Sequence, residues 1–208
     1  MASFPLAPYD DAKEYLASYV QEIARAFATL DDAQLRKAAD CLEGAVARQA
    51  QIFTCGNGGS AAIANHFVCD HVKGVRADTS IRPRVHSLIS NIEIATAISN
   101  DLSYEEVFAF QLESYGSPGD VLVAISSSGN SPNIVRVLTL AKDKGMSTIA
   151  MVGFSGGKAK AIADIVLHVD SGNYGVVEDI HQSLMHILAQ FIRQRHMHDR
   201  SAIASKVF

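Results

Sequence analysis

The stretch Val121-Leu122-Val123-Ala124-Ile125-Ser126-Ser127-Ser128-Gly129-Asn130-Ser131-Pro132 decides the fold. Five apolar residues after the turn pair Gly119-Asp120 read as a strand, and a helix begins at Pro132. Proline suits a first helical turn because the N–H it lacks would be unpaired there. A helix N-terminus offers free backbone N–H groups and the positive end of the helix dipole, so it attracts anions. The hydroxyls of Ser126, Ser127, Ser128 and Ser131 add donors without formal charge. A serine-rich turn with a helix cap would read the same way in isolation. Its place at the carboxyl end of a strand, where open α/β sheets bind ligands, points instead to a phosphate monoester.

Outward from this strand, apolar strand-like runs at Gln51–Cys55, Val85–Ile89, Thr148–Val152 and Ile165–Val169 alternate with helical patterns. The helical patterns cover 60–73, 91–99 with 103–115, 133–144, 157–163 and 178–195. Such alternation predicts parallel strands joined by crossover helices, a doubly wound α/β sandwich. Residues from about Asp10 to Gln49 read as two amphipathic helices broken near Asp31-Asp32, with Tyr15, Val20, Ile23, Ala24 and Phe27 at helical spacing. No strand precedes this pair, so its apolar stripe is expected to pack on another subunit.

The first strand runs into Cys55-Gly56-Asn57-Gly58-Gly59-Ser60. Glycines there let a backbone approach a ligand closely. The spacing is not G-x-G-x-x-G and no acidic residue closes a second strand, which excludes a dinucleotide site. Together with the serine loop, Asn57, Gly58, Gly59 and Ser60 form a two-sided cradle for a small phosphorylated molecule.

On the helix after that loop, His66 and Asp70 share a face, four residues apart. On the last helix Glu178 and His186 are eight apart, within about 80° of each other around the axis. Each histidine alone reads as a hydrogen-bonded core or interface residue. Two helices each presenting an imidazole and a carboxylate could complete a four-ligand divalent metal site from His66, Asp70, Glu178 and His186. His71, His86, His168, His196 and His198 show no partner spacing, and the last two fall in a polar tail.

Composition sets bounds on function. The 208 residues carry a net charge of −4 and 19% charged residues, which gives no footprint for nucleic acid. The apolar stretches are too short to span a membrane, and the first residues lack a secretory pattern. Three cysteines, Cys41, Cys55 and Cys69, without C-x-x-C spacing fit a reducing compartment, hence a cytoplasmic protein.

Taken together, the residues resemble the sugar isomerase (SIS) domain family, and within it the phosphoheptose isomerases. The landmarks are C-G-N-G-G-S-A-A (55–62), the His66 helix, I-S-N-D (98–101), D-V-L-V-A-I-S-S-S-G-N-S (120–131), K-G-M (144–146) and E-D-I-H-x-x-x-x-H (178–186). The resemblance implies a five-stranded parallel sheet, with residues 1–49 as a helical oligomerisation segment, 50–195 as the SIS domain and 196–208 as a tail. It implies a homotetramer that isomerises sedoheptulose 7-phosphate to a heptose 7-phosphate, usually with zinc. By position, His66 and His186 match metal-binding histidines, and His186 also a catalytic acid/base. Asn57, Gly58, Gly59, Asn100, Asp101, Ser126, Ser127, Ser128 and Ser131 match substrate-binding positions. Asp70 stands where the family has glutamate as ligand and base, and Glu178 where it has glutamine. The proton shuttle of an aldose–ketose interconversion then falls to Asp70 or Glu178 with His186, the helix position favouring Asp70. Two other readings share the landmarks: a non-catalytic SIS tetramer that binds partner proteins, and an isomerase of another phosphosugar.

Overall fold

The computed structural model describes residues 4–207. Five strands form one parallel sheet: β1 (Gln51–Gly56), β2 (Arg84–Ser87), β3 (Val121–Ser126), β4 (Ser147–Val152) and β5 (Ile165–His168), in the order β2-β1-β3-β4-β5. The order reverses direction beside β1 and β3, so their carboxyl ends border the switch-point crevice of a doubly wound sheet. Both ligand loops read from the sequence begin there.

Side chains alternate across each strand and so feed two cores. Ile52, Val121, Val123, Ile125, Ile149, Met151 and Leu167 face α2 (Asp32–Ala47), α3 (Gly59–Cys69) and α8 (Tyr174–His196). Phe53, Cys55, Leu122, Ala124, Ala150 and Val152 face α4 (Ile92–Asp101), α5 (Ala109–Tyr115), α6 (Pro132–Asp143) and α7 (Gly157–Ile162). The strand β3 is buried throughout, as its unbroken apolar run requires.

The leading helices differ from expectation. Helix α2 covers the sheet of its own chain: Ala38, Ala39, Leu42, Ala45 and Val46 are buried in the first core. Of these two helices, α1 (Ala12–Phe27) is the one that leaves large apolar side chains open, with Tyr15, Leu16 and Val20 exposed. Its other face braces α8, where the Tyr19 hydroxyl donates to Asp179 Oδ2 at 2.7 Å. A helix preceding the first strand can still return to the sheet, which the linear order of elements conceals.

Element edges shift for local reasons. Helix α8 starts at Tyr174 because the Asn173 side chain caps it, accepting from Val176 N at 3.1 Å. The helix read across 60–73 changes at Asp70 into a π-helical turn, Asp70–Gly74, where Val75 N bonds Asp70 O at 2.8 Å. The segment after α8 is docked rather than loose. Arg193 donates to Asp78 and to the Val207 carbonyl, His196 contacts Glu43 Oε1 at 3.1 Å, and Met197 bridges to Thr79. No helix among the described residues is long and apolar enough to cross a membrane.

Candidate active site

The serine loop turns as the sequence indicates. Gly129 has φ 64° and packs on the Gly156 carbonyl, so a side chain there would collide with backbone. Within the loop, Gly129 N donates to Ser126 Oγ at 3.2 Å, and the Ser126 and Ser131 hydroxyls stand 3.5 Å apart. Ser127 Oγ is buried without a hydrogen-bond partner. An unpaired buried hydroxyl costs about 1–3 kcal/mol, a cost that a bound oxyanion would remove. Ser126, Ser127, Ser128 and Ser131 line a cavity of about 150 Å³ together with Asn57, Ser60, Tyr174 and Glu178.

Asn57 is held in place by a reciprocal amide pair with Asn133, at 2.9 Å in each direction, and it accepts from the Tyr104 hydroxyl at 2.8 Å. Asn100 and Asp101 end α4, bonded to each other at 2.8 Å, exposed and outside this cavity. Gly58 and Gly59 lead into α3, and a Cβ at Gly59 would run into the Glu178 carboxylate. Glycine here is what gives Glu178 its place.

Two turns along α8 lies a second polar group. His186 Nδ1 stands 2.6 Å from Asp70 Oδ2, and His66 Nε2 lies 3.4 Å from Asp70 Oδ1. The two imidazole rings meet edge to face with centroids 4.9 Å apart. One donor atom from each of His66, Asp70 and His186 falls within 4.8 Å of the others. Two imidazoles and a carboxylate at this spacing are groups that can hold a metal ion. Aspartate, though one methylene shorter than glutamate, reaches both rings, and it does so from the first residue of the π-helical turn. Such turns often mark functional positions in helices.

Glu178 is not brought into this group. Side chains lean towards the N-terminus of their helix, and Glu178 leans into the space beside Gly59 at the serine cavity. Gln182, not singled out from the sequence, takes the intervening position: its Nε2 lies 3.0 Å from His66 Nδ1 and 2.9 Å from His186 Nε2. The spacing 178, 182, 186 on one helix face was the available signal. Tyr104, Asn133 and Tyr174 were also missed, although Tyr174 continues the 178, 182, 186 spacing one turn earlier on α8 and Asn133 follows Pro132 directly.

A five-stranded parallel sheet with a serine-rich cradle at its switch point and an acid–imidazole group alongside defines a sugar-phosphate-binding α/β protein. The chain belongs to the SIS domain family, whose model matches residues 14–153. Within that family it is closely related to phosphoheptose isomerases. It is 37% identical over 185 residues to a probable phosphoheptose isomerase of Thermoplasma acidophilum, covering 89% of this chain and 99% of that protein. It is 41% identical over 145 residues to a phosphoheptose isomerase of Nitratidesulfovibrio vulgaris, covering 70% and 69% of the two chains. The solved phosphoheptose isomerase of Neisseria gonorrhoeae superposes with a TM-score of 0.79 at 30% identity, covering 86% of this chain and 95% of that one.

Proposed function

We propose that the crevice holds a phosphorylated sugar along α8, its phosphate in the serine loop and its reacting carbons at Asp70 and His186. The chain is an enzyme of the phosphosugar isomerase type, and its reaction is the aldose–ketose interconversion typified by sedoheptulose 7-phosphate. One observation carries the layout: Glu178 at the serine cavity and His186 at Asp70 lie eight residues apart on one face of α8, about 12 Å along the axis. Anchor and chemistry are thus separated, as an extended open-chain sugar phosphate requires.

In this reading the α6 N-terminus and the serine hydroxyls bind the phosphate, with Ser127 Oγ gaining the partner it lacks. That remote binding energy holds the reacting carbons in register. Asn57 and Glu178 hydrogen-bond sugar hydroxyls. Asp70 takes the proton from one carbon and returns it to the next, through an enediol. His186, bonded to Asp70, exchanges protons with the two oxygens. His66, Asp70 and His186 would hold the metal, with zinc the ion that this donor set favours. An ion held by these three residues would supply Lewis-acid stabilisation of negative charge developing on the sugar oxygens.

Assembly into a homotetramer would cover the exposed Leu16 and Val20 of α1. The three free cysteines fit a cytoplasmic setting. The reading is tested by incubating the protein with sedoheptulose 7-phosphate and a panel of other ketose phosphates and following the aldose by NMR. Turnover of the heptulose phosphate above the others supports it, and turnover only of a shorter sugar phosphate reassigns the substrate.

A further inference from the structure

We propose that the Tyr174 ring is a wall of the phosphate end of the crevice, held there by Phe154 as a positioning residue. Both roles rest on the reading of the serine cavity as a phosphate site. Tyr174 opens α8 and lines that cavity with Ser126, Ser127, Ser128 and Ser131. It is nevertheless 60% exposed, so it stands between the cavity and solvent. Its ring meets the Phe154 ring edge to face, with centroids 4.8 Å apart. An exposed side chain with such a partner points where the partner directs it.

Phe154 is held where a bulky residue rarely goes. Two residues beyond β4 its φ is 50°, in the left-handed region, although it carries a Cβ and an aromatic ring. Backbone bonds around it impose that conformation. Phe154 N donates to the Ser171 carbonyl at 2.9 Å, and His168 Nε2 lies 2.9 Å from the Phe154 carbonyl. The preceding Gly153 N donates to the Ser127 carbonyl at 2.8 Å, which ties this turn to the serine loop. Glycine at position 154 would take the same conformation without strain. Strained residues persist where their surroundings over-determine them, and they gather at ligand sites. The ring contact that this phenyl group makes is with Tyr174.

The consequence is a shielded anion site. Ser127 Oγ is buried and unpartnered, and a phosphate bonded to it is held more strongly where water is kept away. An uncharged ring at the mouth of the cavity provides that shield without repelling a dianion. Phe154 does not line the cavity itself, so its effect passes through Tyr174.

The test compares Phe154→Gly, Phe154→Ala, Tyr174→Ala and Tyr174→Phe in the full chain. Inorganic phosphate is titrated by calorimetry, and KM and kcat are measured with sedoheptulose 7-phosphate. Tyr174→Ala and both Phe154 variants weaken phosphate binding by about 10-fold and raise KM by a similar factor, with kcat changed far less. Tyr174→Phe keeps the ring and restores the affinity that Tyr174→Ala loses. Phe154→Gly melts about 2–4 °C above Phe154→Ala, because glycine relieves the positive φ that alanine retains. A merely structural role would make the less stable of these two the weaker binder, whereas positioning makes them equally weak. Affinity and KM unaltered in Phe154→Gly, or Tyr174→Phe as weak as Tyr174→Ala, overturn the proposal and leave the proposed function standing. Phosphate binding that responds as expected in a protein that turns over no sugar phosphate leaves the wall standing and removes the proposed function instead.

Discussion

His186 Nδ1 and Asp70 Oδ2 lie 2.6 Å apart, joining the middle of α8 to the start of the π-helical turn that ends α3. A short charge-assisted bond of this kind both orients the imidazole and ties two helices across the crevice. Asp70→Asn keeps the shape but removes the charge and one acceptor. We expect kcat to fall by at least about 100-fold, with the metal content of the proposed site reduced as well. Stopped turnover assays and metal analysis of the purified variant check both. Full activity in Asp70→Asn would exclude Asp70 as the base.

Glu178 lines the serine cavity apart from the His66–Asp70–His186 group. If it serves sugar hydroxyls, Glu178→Gln raises KM by about 10-fold and spares kcat, because both side chains can hydrogen-bond. Loss of kcat in this variant would instead make Glu178 the base. Gly59→Ala acts on the same contact, since the new methyl would push the carboxylate aside. Its melting temperature should stay close to wild type while KM rises as in Glu178→Gln.

Ser128 borders the cavity at the N-terminal end of α6. A carboxylate placed there by Ser128→Asp repels a phosphate dianion and competes for the free N–H groups. The expected change is a rise in KM of about 100-fold or more, with the fold intact by circular dichroism. An unchanged KM would show that phosphate binds elsewhere.

Leu16 and Val20 are exposed on α1 at 61% and 55%, one turn apart on one face. Lysine at both positions should split the proposed homotetramer into smaller species by light scattering. Removing residues 1–48 would be a poorer test, because Leu42 and Ala45 of α2 belong to the core and their loss would unfold the chain. A double lysine variant that stays tetrameric places the interface on another surface.

His181 is fully buried, and that burial pulls its pKa down to about 4. In the unfolded chain it titrates near 6.5, so between these values the unfolded state binds more protons. Stability is then full above pH 6.5 and declines as pH falls towards 4, by about 3 kcal/mol from this group. Thermal melts across that range should show the decline, and His181→Leu should flatten it. His71, buried and also lowered to about 4, leaves a residual slope.

The sequence by itself determined the sheet, both ligand loops and two of the histidines that matter. Each rests on a local pattern: the apolar run of β3, Pro132 at a helix start, Gly129 where φ is positive, and the four-residue spacing of His66 and Asp70. Such patterns reflect backbone sterics and helical periodicity, which neighbours in the chain already fix. Only the tertiary structure decided which polar side chains meet. Glu178 and Gln182 share a helix face with His186, and spacing alone gave both an equal claim on the imidazoles. The packing of α3 against α8 settled it: Gly59 leaves room for the Glu178 carboxylate, and His66, two turns further on, meets the Gln182 amide. The same holds for α2, whose apolar stripe looked unpartnered until the chain returned it to the sheet. Contacts between elements distant in sequence depend on how helices dock, and no local period encodes that.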